Sequence, residues 1–461
     1  MLLNEILVVL MFLTFIGLLF TGFPIAFVLG GVAVLFTLVG VISDTFFHTS
    51  VGIDFGIIGM VADRCYKLMD NWVMVAVPMF IFMGHMLDNS GIAERMMKNM
   101  QNVFGKVHGG LALTVALIGI ILAASTGIVG ASVVLLGLMS LPVMLRQGYS
   151  KTLAVGTVAA SGTLGILIPP SIMLVIMADQ LGLAVGDLFM GAMIPGLLLG
   201  CFYLIYIIGY GLIRPKDAPL ADDRKPINFK LIWDLLKTVL PPFALIIAVL
   251  GSIFAGIASP TEASGIGAFG ATLLALWNRK LNMKVFREVL RSTYVSLGFV
   301  FAIFVGATFF ALVLRLLGGD EFIETIMTSL PFGKYGVLVF MLALIFILGF
   351  FLDWIEISLI VLPLLGPIIS LLNFPVNGYG VVDNPELIWF VVIIAVCLQT
   401  SFMTPPVGFS LFFLAGVAPP EVTLKDIYKG IIPFVAIQLV GLICVIIWPQ
   451  LVLWLPAMIY R

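Results

Sequence analysis

The sequence predicts an all-α polytopic membrane protein built as two inverted repeats, and three observations carry that expectation. Of 461 residues, 62% are hydrophobic and 10% are charged, whereas soluble domains carry about 25% charged residues. Four stretches are apolar yet interrupted at their middles by small, polar or proline residues. Motifs from the first half of the chain recur in the second at a nearly constant offset. At about 20 apolar residues per crossing, the hydrophobic content allows at most about 14 spans.

The elements follow in chain order. The N-terminus has Asn4 and Glu5 where a secretory signal carries Lys or Arg, so 2 to 20 reads as a membrane helix rather than a removed leader. Uninterrupted apolar stretches predict further spans at about 23 to 42, 73 to 87, 190 to 213, 239 to 256, 261 to 277, 294 to 317 and 430 to 455. Residues 90 to 104 and 319 to 331 are amphipathic. Residues 110 to 146 and 335 to 372 are too long for one crossing and hold Ser125, Thr126, Gly127, Gly130 and Ser132, or Gly349, Asp353, Glu356 and Ser358, at their middles. Both predict re-entrant hairpins. Residues 150 to 181 and 386 to 418 are each interrupted by a double proline, Pro169-Pro170 and Pro405-Pro406, which removes backbone donors and disfavours helix just before it. Both predict broken helices.

Pro24 and Pro260 are 236 positions apart, the two double prolines are also 236 apart, and Phe104-Gly105-Lys106 recurs as Phe332-Gly333-Lys334 after 228. Asp187, Gly191 and Pro195 find counterparts in Asp426, Gly430 and Pro433. The chain therefore divides into a first repeat, 1–213, a linker, 214–237, and a second repeat, 238–461. Each repeat contributes three spans, an amphipathic arm, a hairpin, a broken helix and a last span. Five full crossings per repeat is an odd number, so the second enters the membrane inverted. The expectation is ten crossings and two hairpins.

Charge tests that topology. With both termini outside, all but five of the 23 lysines and arginines fall on the cytoplasmic side, the exceptions being Arg64, Lys67, Arg315, Lys334 and Arg461. The 214–237 stretch is expected to be a solvated cytoplasmic linker ending in an interfacial helix. A net charge of -1 with no basic block leaves no footprint for nucleic acid. Cys65, Cys201, Cys397 and Cys444 form no CxxC pair, His48, His85 and His108 are scattered, and no GxxxxGK[ST] motif occurs. A disulfide framework, a metal site other than for sodium, an organic cofactor and ATP hydrolysis by that route are not expected.

Unwound backbone within a membrane is tolerated only where it is buried or lines a cavity, and paired breaks in inverted repeats are how transporters build a midplane site. Freed carbonyls and small hydroxyl residues suit a dehydrated Na⁺, and helix N-termini suit an anion. The first-half candidates for Na⁺ are Ser125, Thr126, Gly127 and Ser132 at the hairpin and Gly162, Thr163 and Gly165 before Pro169. Those of the second half are Gly349, Asp353, Gln399, Thr400, Ser401, Thr404 and Pro405. The candidate substrate contacts are Thr126, Ser161, Asp353, Glu356 and Thr404. Close helix packing is the competing explanation for the small residues. Asp353 and Glu356 stand three apart on one helical face deep in an apolar run, where ionisable groups mark function unless they hold the hairpin tip together. Glu262 follows Ser259-Pro260-Thr261 and reads as a helix cap. Asp179-Gln180 reads as a polar helix end, and His85 as a packed or interfacial histidine.

These residues resemble the large membrane subunit of tripartite ATP-independent periplasmic (TRAP) transporters, over nearly the whole chain. The resemblance rests on Ala160-Ser-Gly-Thr-Leu-Gly-Ile-Leu-Ile-Pro-Pro-Ser171, Met193-Ile-Pro-Gly-Leu-Leu-Leu-Gly200, Gly256 to Gly265, Thr404-Pro-Pro-Val-Gly408, Val77 to Gly84 and Gly349 to Pro363. It implies an elevator-type, Na⁺-driven importer in the bacterial inner membrane. Its implied partners are a small four-helix membrane subunit and a periplasmic binding protein that delivers an organic acid. The family's hairpin and break positions fall on Thr126, Gly127 and Ser132, on Gly162 to Gly165, on Asp353, and on Ser401 to Pro406. One departure stands out. Where many members resemble Ser-Gly-Ser-Ser at the first tip, this chain has Ser125-Thr-Gly-Ile-Val-Gly130 and lacks hydroxyls at Ile128 and Val129.

The expected activity is import of a carboxylate coupled to Na⁺, with no enzymatic step. Two rivals are a self-sufficient Na⁺/carboxylate symporter of similar fold and an intramembrane enzyme using Asp353 and Glu356 as an acid pair. No further acid or histidine partner for such a pair is evident in the sequence.

Overall fold

In hydrocarbon no water is present to satisfy a free backbone group, so an apolar chain of this length must fold into helices. The computed structural model describes residues 2–49, 51–126, 129–221 and 228–460. The described residues form helices joined by short turns, nine of them long and apolar enough to cross a bilayer. Before the linker the order is Leu2–Leu19, Ile25–Phe47, Gly56–Asp70, Ala76–Asn89, Ile92–Phe104, a hairpin of Gly110–Thr126 and Val129–Arg146, a broken helix of Lys151–Thr163 and Ile172–Leu181, and Val185–Ile213. After it come Phe229–Phe254, Pro260–Trp277, Met283–Leu316, Gly319–Ser329, a hairpin of Gly333–Leu348 and 354–371, a broken helix of Pro385–Phe402 and Phe409–Val417, Leu424–Ile447 and Gln450–Ile459.

Helix starts coincide with residues whose side chains accept otherwise unpartnered N–H groups. Ser150 accepts from Leu153, Asn228 from Leu231 and Asn282 from Val285. Ser259 with Glu262 and Thr423 with Asp426 form full capping boxes. The arm Ile92–Phe104 buries Ile92, Met96 and Met100 at four-residue spacing, and Asn99 on its partly buried side donates to Thr238 Oγ1 at 2.7 Å.

Extensive helix pairs interlock the two sequence halves. Ala76–Asn89 packs on Pro260–Trp277, Ile25–Phe47 on Met283–Leu316, Lys151–Thr163 on Leu424–Ile447, and Val185–Ile213 on Gln450–Ile459. Glycine makes the approach possible. A Cβ on Gly156 would stand 2.2 Å from the Gly430 carbonyl oxygen, one on Gly430 2.3 Å from that of Thr152, and one on Gly306 2.5 Å from that of Ala26. Inside this frame residues 153–178 and 388–403 are buried without exception. The first broken helix and the first segment of the second are therefore the least exposed parts of the described molecule, whereas Phe412 in Phe409–Val417 is exposed.

Four sequence expectations are corrected. The last span is two helices rather than one run from 430 to 455: Trp448 leaves helical geometry (φ -117°, ψ 80°) before Pro449, which restricts the residue preceding it. An additional helix, Gly56–Asp70, occupies a stretch whose mixed polarity gave no span. Two spans extend past their apolar runs, to Phe47 and back to Met283; the latter helix has 34 residues, about 51 Å at 1.5 Å per residue and well over the ~30 Å hydrocarbon thickness. The start of the linker is not solvated: Ala218 is fully buried, its carbonyl accepts Gly109 N–H at 3.1 Å, and the Asp217 carbonyl accepts Ser150 N–H at 2.9 Å. Those two N–H groups precede helices and have no partner within them.

Gly156→Val forces the Gly430 backbone away and is expected to destabilise by about 1–3 kcal/mol. Gly265→Ala, with nothing within 4 Å of the new methyl group, is expected to be neutral or slightly stabilising. Thermal unfolding of the purified protein checks the pair, and equal midpoints for the two variants would refute the packing role of Gly156.

Candidate functional site

The two breaks are built alike. Lys151–Thr163 tightens into a turn at Leu164–Ile166, passes the cis pair Pro169-Pro170 and resumes at Ile172. Pro385–Phe402 ends before the cis pair Pro405-Pro406 and resumes at Phe409, through Gly408 at φ 50°, a conformation that suits glycine. Side-chain hydroxyls donate to carbonyls at both breaks, and those of Ser171 and Ser410 stand in for the N–H that Pro170 and Pro406 lack. Ser171 donates to the Ile166 carbonyl at 2.5 Å, Ser410 to Phe402 at 2.7 Å and Thr404 to Thr400 at 2.8 Å. A hydroxyl that donates to a carbonyl keeps its lone pairs for another partner.

Each break is clamped to the hairpin of its own half. A Cβ on Gly119 would lie 2.5 Å from Ser161 Cβ, and one on Gly162 2.5 Å from Val133 Cγ2, beside buried Ser132. In the second half Ser401 donates to the Phe346 carbonyl at 2.7 Å, and Gly349 lets the hairpin turn lie against it, 2.5 Å separating a built Cβ from Ser401 Oγ. The breaks also meet each other. Gln399 Nε2 lies 3.4 Å from Thr163 Oγ1, and Thr163 reaches Met403 Sδ at 3.3 Å. Gln399 stands 236 positions after Thr163, the offset that separates the double prolines.

In the second hairpin Asp353 caps the helix that follows, accepting Trp354 N–H at 2.8 Å, and Ser358 donates to the Trp354 carbonyl at 2.6 Å. A π-helical turn, Ile357–Val361, widens the segment after Glu356. Glu356 is 1% exposed and its Oε2 has no hydrogen-bond partner. A buried polar oxygen left so costs about 1–3 kcal/mol, more if charged.

A cavity of about 360 Å³ brings the hairpins together. Val129 and Gly130 of the first face Asp353, Trp354 and Glu356 of the second, with Phe409 and Phe413 of the second broken helix, and Leu19, Phe23, Ile25 and Phe299 of the frame opposite. Of the expected substrate contacts, Asp353 and Glu356 line it. Ser161 is buried against the first hairpin instead, and Thr404 and Pro405 face a separate groove beside Lys425 and Tyr428. Gly165 is buried in the first break, and Thr400 donates within its own helix to Val396. Gly127 and the side chains of Ser125 and Thr126 lie outside the described residues, as does Ile128. The sequence reading missed Val129, Gly130 and the aromatic lining as site residues. Gly130 carried a signal as a glycine just past the tip, where a Cβ would meet Phe413 at 2.8 Å. The phenylalanines carried none, being indistinguishable from apolar filler.

Other polar residues are held by hydrogen bonds within the fold. Glu262 is held by Ser259 N–H and Oγ, both at 2.8 Å, in an exposed capping box. Asp179 accepts Asn71 Nδ2–H at 2.6 Å, His85 Nε2 lies 3.3 Å from Ser296 Oγ, and Asp187 bonds the Tyr460 hydroxyl.

Fold and cavity define a multi-pass helical membrane protein in which two hairpins, the second broken helix and the frame surround a largely apolar cavity holding two carboxyl groups. The chain belongs to the tripartite ATP-independent periplasmic transporter family as its DctM component, the large permease, the match running over residues 12–451. The isethionate TRAP transporter permease protein DctMQ of Oleidesulfovibrio alaskensis is 28% identical over 92% of this chain, which spans 62% of that longer relative. The C4-dicarboxylate large permease DctM of Vibrio cholerae is 27% identical over 98% of both chains, and the sialic acid large permease SiaM of the same organism 26% identical over 96% of both. Among solved structures, the Alcanivorax borkumensis YdaH transporter shares the fold, with a TM-score of 0.52 and 15% identity over 84% of this chain and 89% of that one.

Glu262→Gln preserves the capping box and is expected to leave thermal stability unchanged, whereas Ser259→Ala is expected to lose about 1 kcal/mol. Unfolding midpoints of the two purified variants check this, and a large loss from Glu262→Gln would show a role beyond the cap.

Proposed function

We propose that this large permease imports an organic acid anion, coupled to Na⁺, with the anion held in the 360 Å³ cavity between the hairpins. The observation that carries the reading is the lining itself. An anion entering that cavity meets two carboxyl groups, Asp353 and Glu356, and like charges at such range repel unless a cation stands with them. Coupling to Na⁺ resolves the conflict, because the cation cancels charge that the protein does not cancel with a lysine or arginine. Asp353 and Glu356, with the hydroxyls and carbonyls around Ser401 and Gly349, are the oxygen donors suited to it in the second half. Ser132, Gly162, Thr163 and Gly165, with the tip at Ser125 to Gly127, are their first-half counterparts. The names of the relatives speak for small, mostly anionic cargo, and the aromatic lining suits the carbon skeleton of such a molecule.

The hairpins and broken helices move as one body against the frame in this reading, which is the elevator motion. Their mutual clamps through Gly119, Gly162 and Ser401 support it. The contact between Thr163 and Gln399, one repeat apart, is what a two-fold relation between inverted halves produces. The exposed apolar faces of Leu2–Leu19, Ile25–Phe47 and Phe229–Phe254 are the surface for the small membrane subunit, and a periplasmic binding protein delivers the anion. The setting is the bacterial inner membrane, with both termini on the periplasmic side.

The cognate binding protein's ligand, found by thermal-shift screening, supplies the substrate for uptake into proteoliposomes holding both membrane subunits. Uptake is expected to require an inward Na⁺ gradient; uptake unchanged when K⁺ replaces Na⁺ sinks the coupling. Uptake by the large subunit alone would assign a self-sufficient symporter instead. Asp353→Asn keeps a helix cap while removing the charge, and is expected to slow uptake at least about tenfold, about 1.4 kcal/mol. Glu262→Gln is expected to transport normally, and equal, near-normal rates for both would return Asp353 to a structural role.

A further inference from the structure

A second cavity, of about 500 Å³, lies between the frame and the outer ends of the moving elements. Its charge is unusual for this protein. Of the five basic residues that the charge distribution leaves on the outer side, three, Arg64, Lys67 and Arg315, line this one space. They come from the Gly56–Asp70 helix and from the end of Met283–Leu316. Basic residues on the outer side run against the bias that orients the chain, and their convergence from elements some 250 positions apart needs a cause other than topology.

These charges are cancelled only in part. The one carboxylate in the lining, Asp179, accepts Asn71 Nδ2–H at 2.6 Å and Gln180 Nε2–H at 3.2 Å, both from neutral amides. Among the described residues no carboxylate lies within ion-pair distance of Arg64 or Lys67, while Arg315 stands 3.3 Å from Asp320. With Arg315 paired to Asp320, the charges of Arg64 and Lys67 against the single carboxylate of Asp179 leave the lining with an excess of positive charge. The floor includes Leu359 and Ile360, which follow Glu356 by about one helical turn, about 5 Å along the axis. This cavity and the one between the hairpins thus share a single stretch of the second hairpin.

We propose that the outer cavity is an antechamber for an organic anion, which rests against Arg64, Lys67 and Arg315 before passing to the cavity beside Glu356. This rests on the proposed transport of an organic acid and adds to it a second, outer binding site. An oxyanion here has two sources, a solute carboxylate or a lipid phosphate, and the solute is favoured because the lining joins charge to the path of the transported molecule. Such a potential raises local anion concentration and arrival rate by about 10-fold to 1,000-fold at low salt.

The test reads the cavity without transport. Thr308→Cys, with Ala311→Cys as a second reporter should the first not fold, places a thiol in the lining. In phosphatidylcholine nanodiscs a negatively charged sulfonatoethyl methanethiosulfonate is expected to label it at least about tenfold faster than the trimethylammonium analogue, after subtraction of the rates of the wild-type chain with its native cysteines. Succinate is expected to slow the labelling, and in R64Q/K67Q/R315Q the two reagents are expected to react about equally. Equal rates with all three basic residues present would overturn the proposal. So would protection by added phosphatidylglycerol but not by succinate, which assigns the cavity to lipid. In uptake, the triple variant is expected to raise KM about tenfold with the maximal rate within twofold, and R64K/K67R/R315K to recover most of the affinity. Lys334→Gln, an outer-side charge outside the cavity, serves as the unaffected control. Charge-selective labelling without Na⁺-driven uptake would defeat the coupling and leave the outer site standing; uptake with unchanged KM in the triple variant would do the reverse.

Discussion

A backbone N–H or C=O group cannot be left bare in hydrocarbon, and the rest of this structure depends on that constraint. It makes the two double prolines decisive. Each removes donors from a helix in mid-membrane, so the carbonyls before it must find partners in the protein or lie against a cavity. Ser171 and Ser410 supply hydroxyl donors at the two breaks, and Ser401 satisfies a carbonyl of the neighbouring hairpin. The same constraint explains why residues 153–178 and 388–403 are buried without exception. The first break is buried throughout, whereas the second leaves the buried interior at Thr404, so that Pro406 and Val407 are exposed.

Close packing then turns a set of breaks into a site. Gly119 and Gly162 let the first hairpin touch its broken helix, Gly349 does the same in the second half, and Gly156 with Gly430 locks the first broken helix to the last long span. These contacts have no slack for a side chain, so the hairpins hold a fixed relation to the breaks and move with them if they move at all. The acids follow from this geometry. Asp353 uses one oxygen to cap a helix, while Glu356 is buried with an oxygen unsatisfied. In the second cavity the converse arrangement occurs, with Arg64, Lys67 and Arg315 sharing the lining with Asp179, a carboxylate that neutral amides already hold.

Much of the candidate site was legible because its signals are local. A double proline breaks a helix wherever it falls, a Ser-x-x-Glu run caps one, and an acid deep in an apolar run stands out by its cost. The breaks, the Glu262 cap and the pair Asp353 and Glu356 were read on those grounds. What escaped has no local signature. Thr404 sits at the second break as expected, yet its position relative to the cavity depends on how the chain turns after Pro406, and the turn leads it to another groove. The phenylalanines that enclose the cavity look like any other lipid-facing or core residue until the hairpins are placed against the frame.

The amino-acid sequence by itself determined the class of fold, the positions of the breaks and hairpins and the residues able to hold charge in the membrane. Those follow from hydropathy, from proline's missing N–H and from the expense of burying an ionisable group, none of which needs a partner distant in the chain. Only the tertiary structure decided which of these residues share a cavity. The meeting of Val129 and Gly130 with Asp353 and Glu356, the contact of Thr163 with Gln399, and the convergence of Arg64 and Lys67 with Arg315 each join positions more than 200 residues apart. Their proximity is set by helix packing at glycine contacts, an interaction of shape that no local pattern of residues encodes.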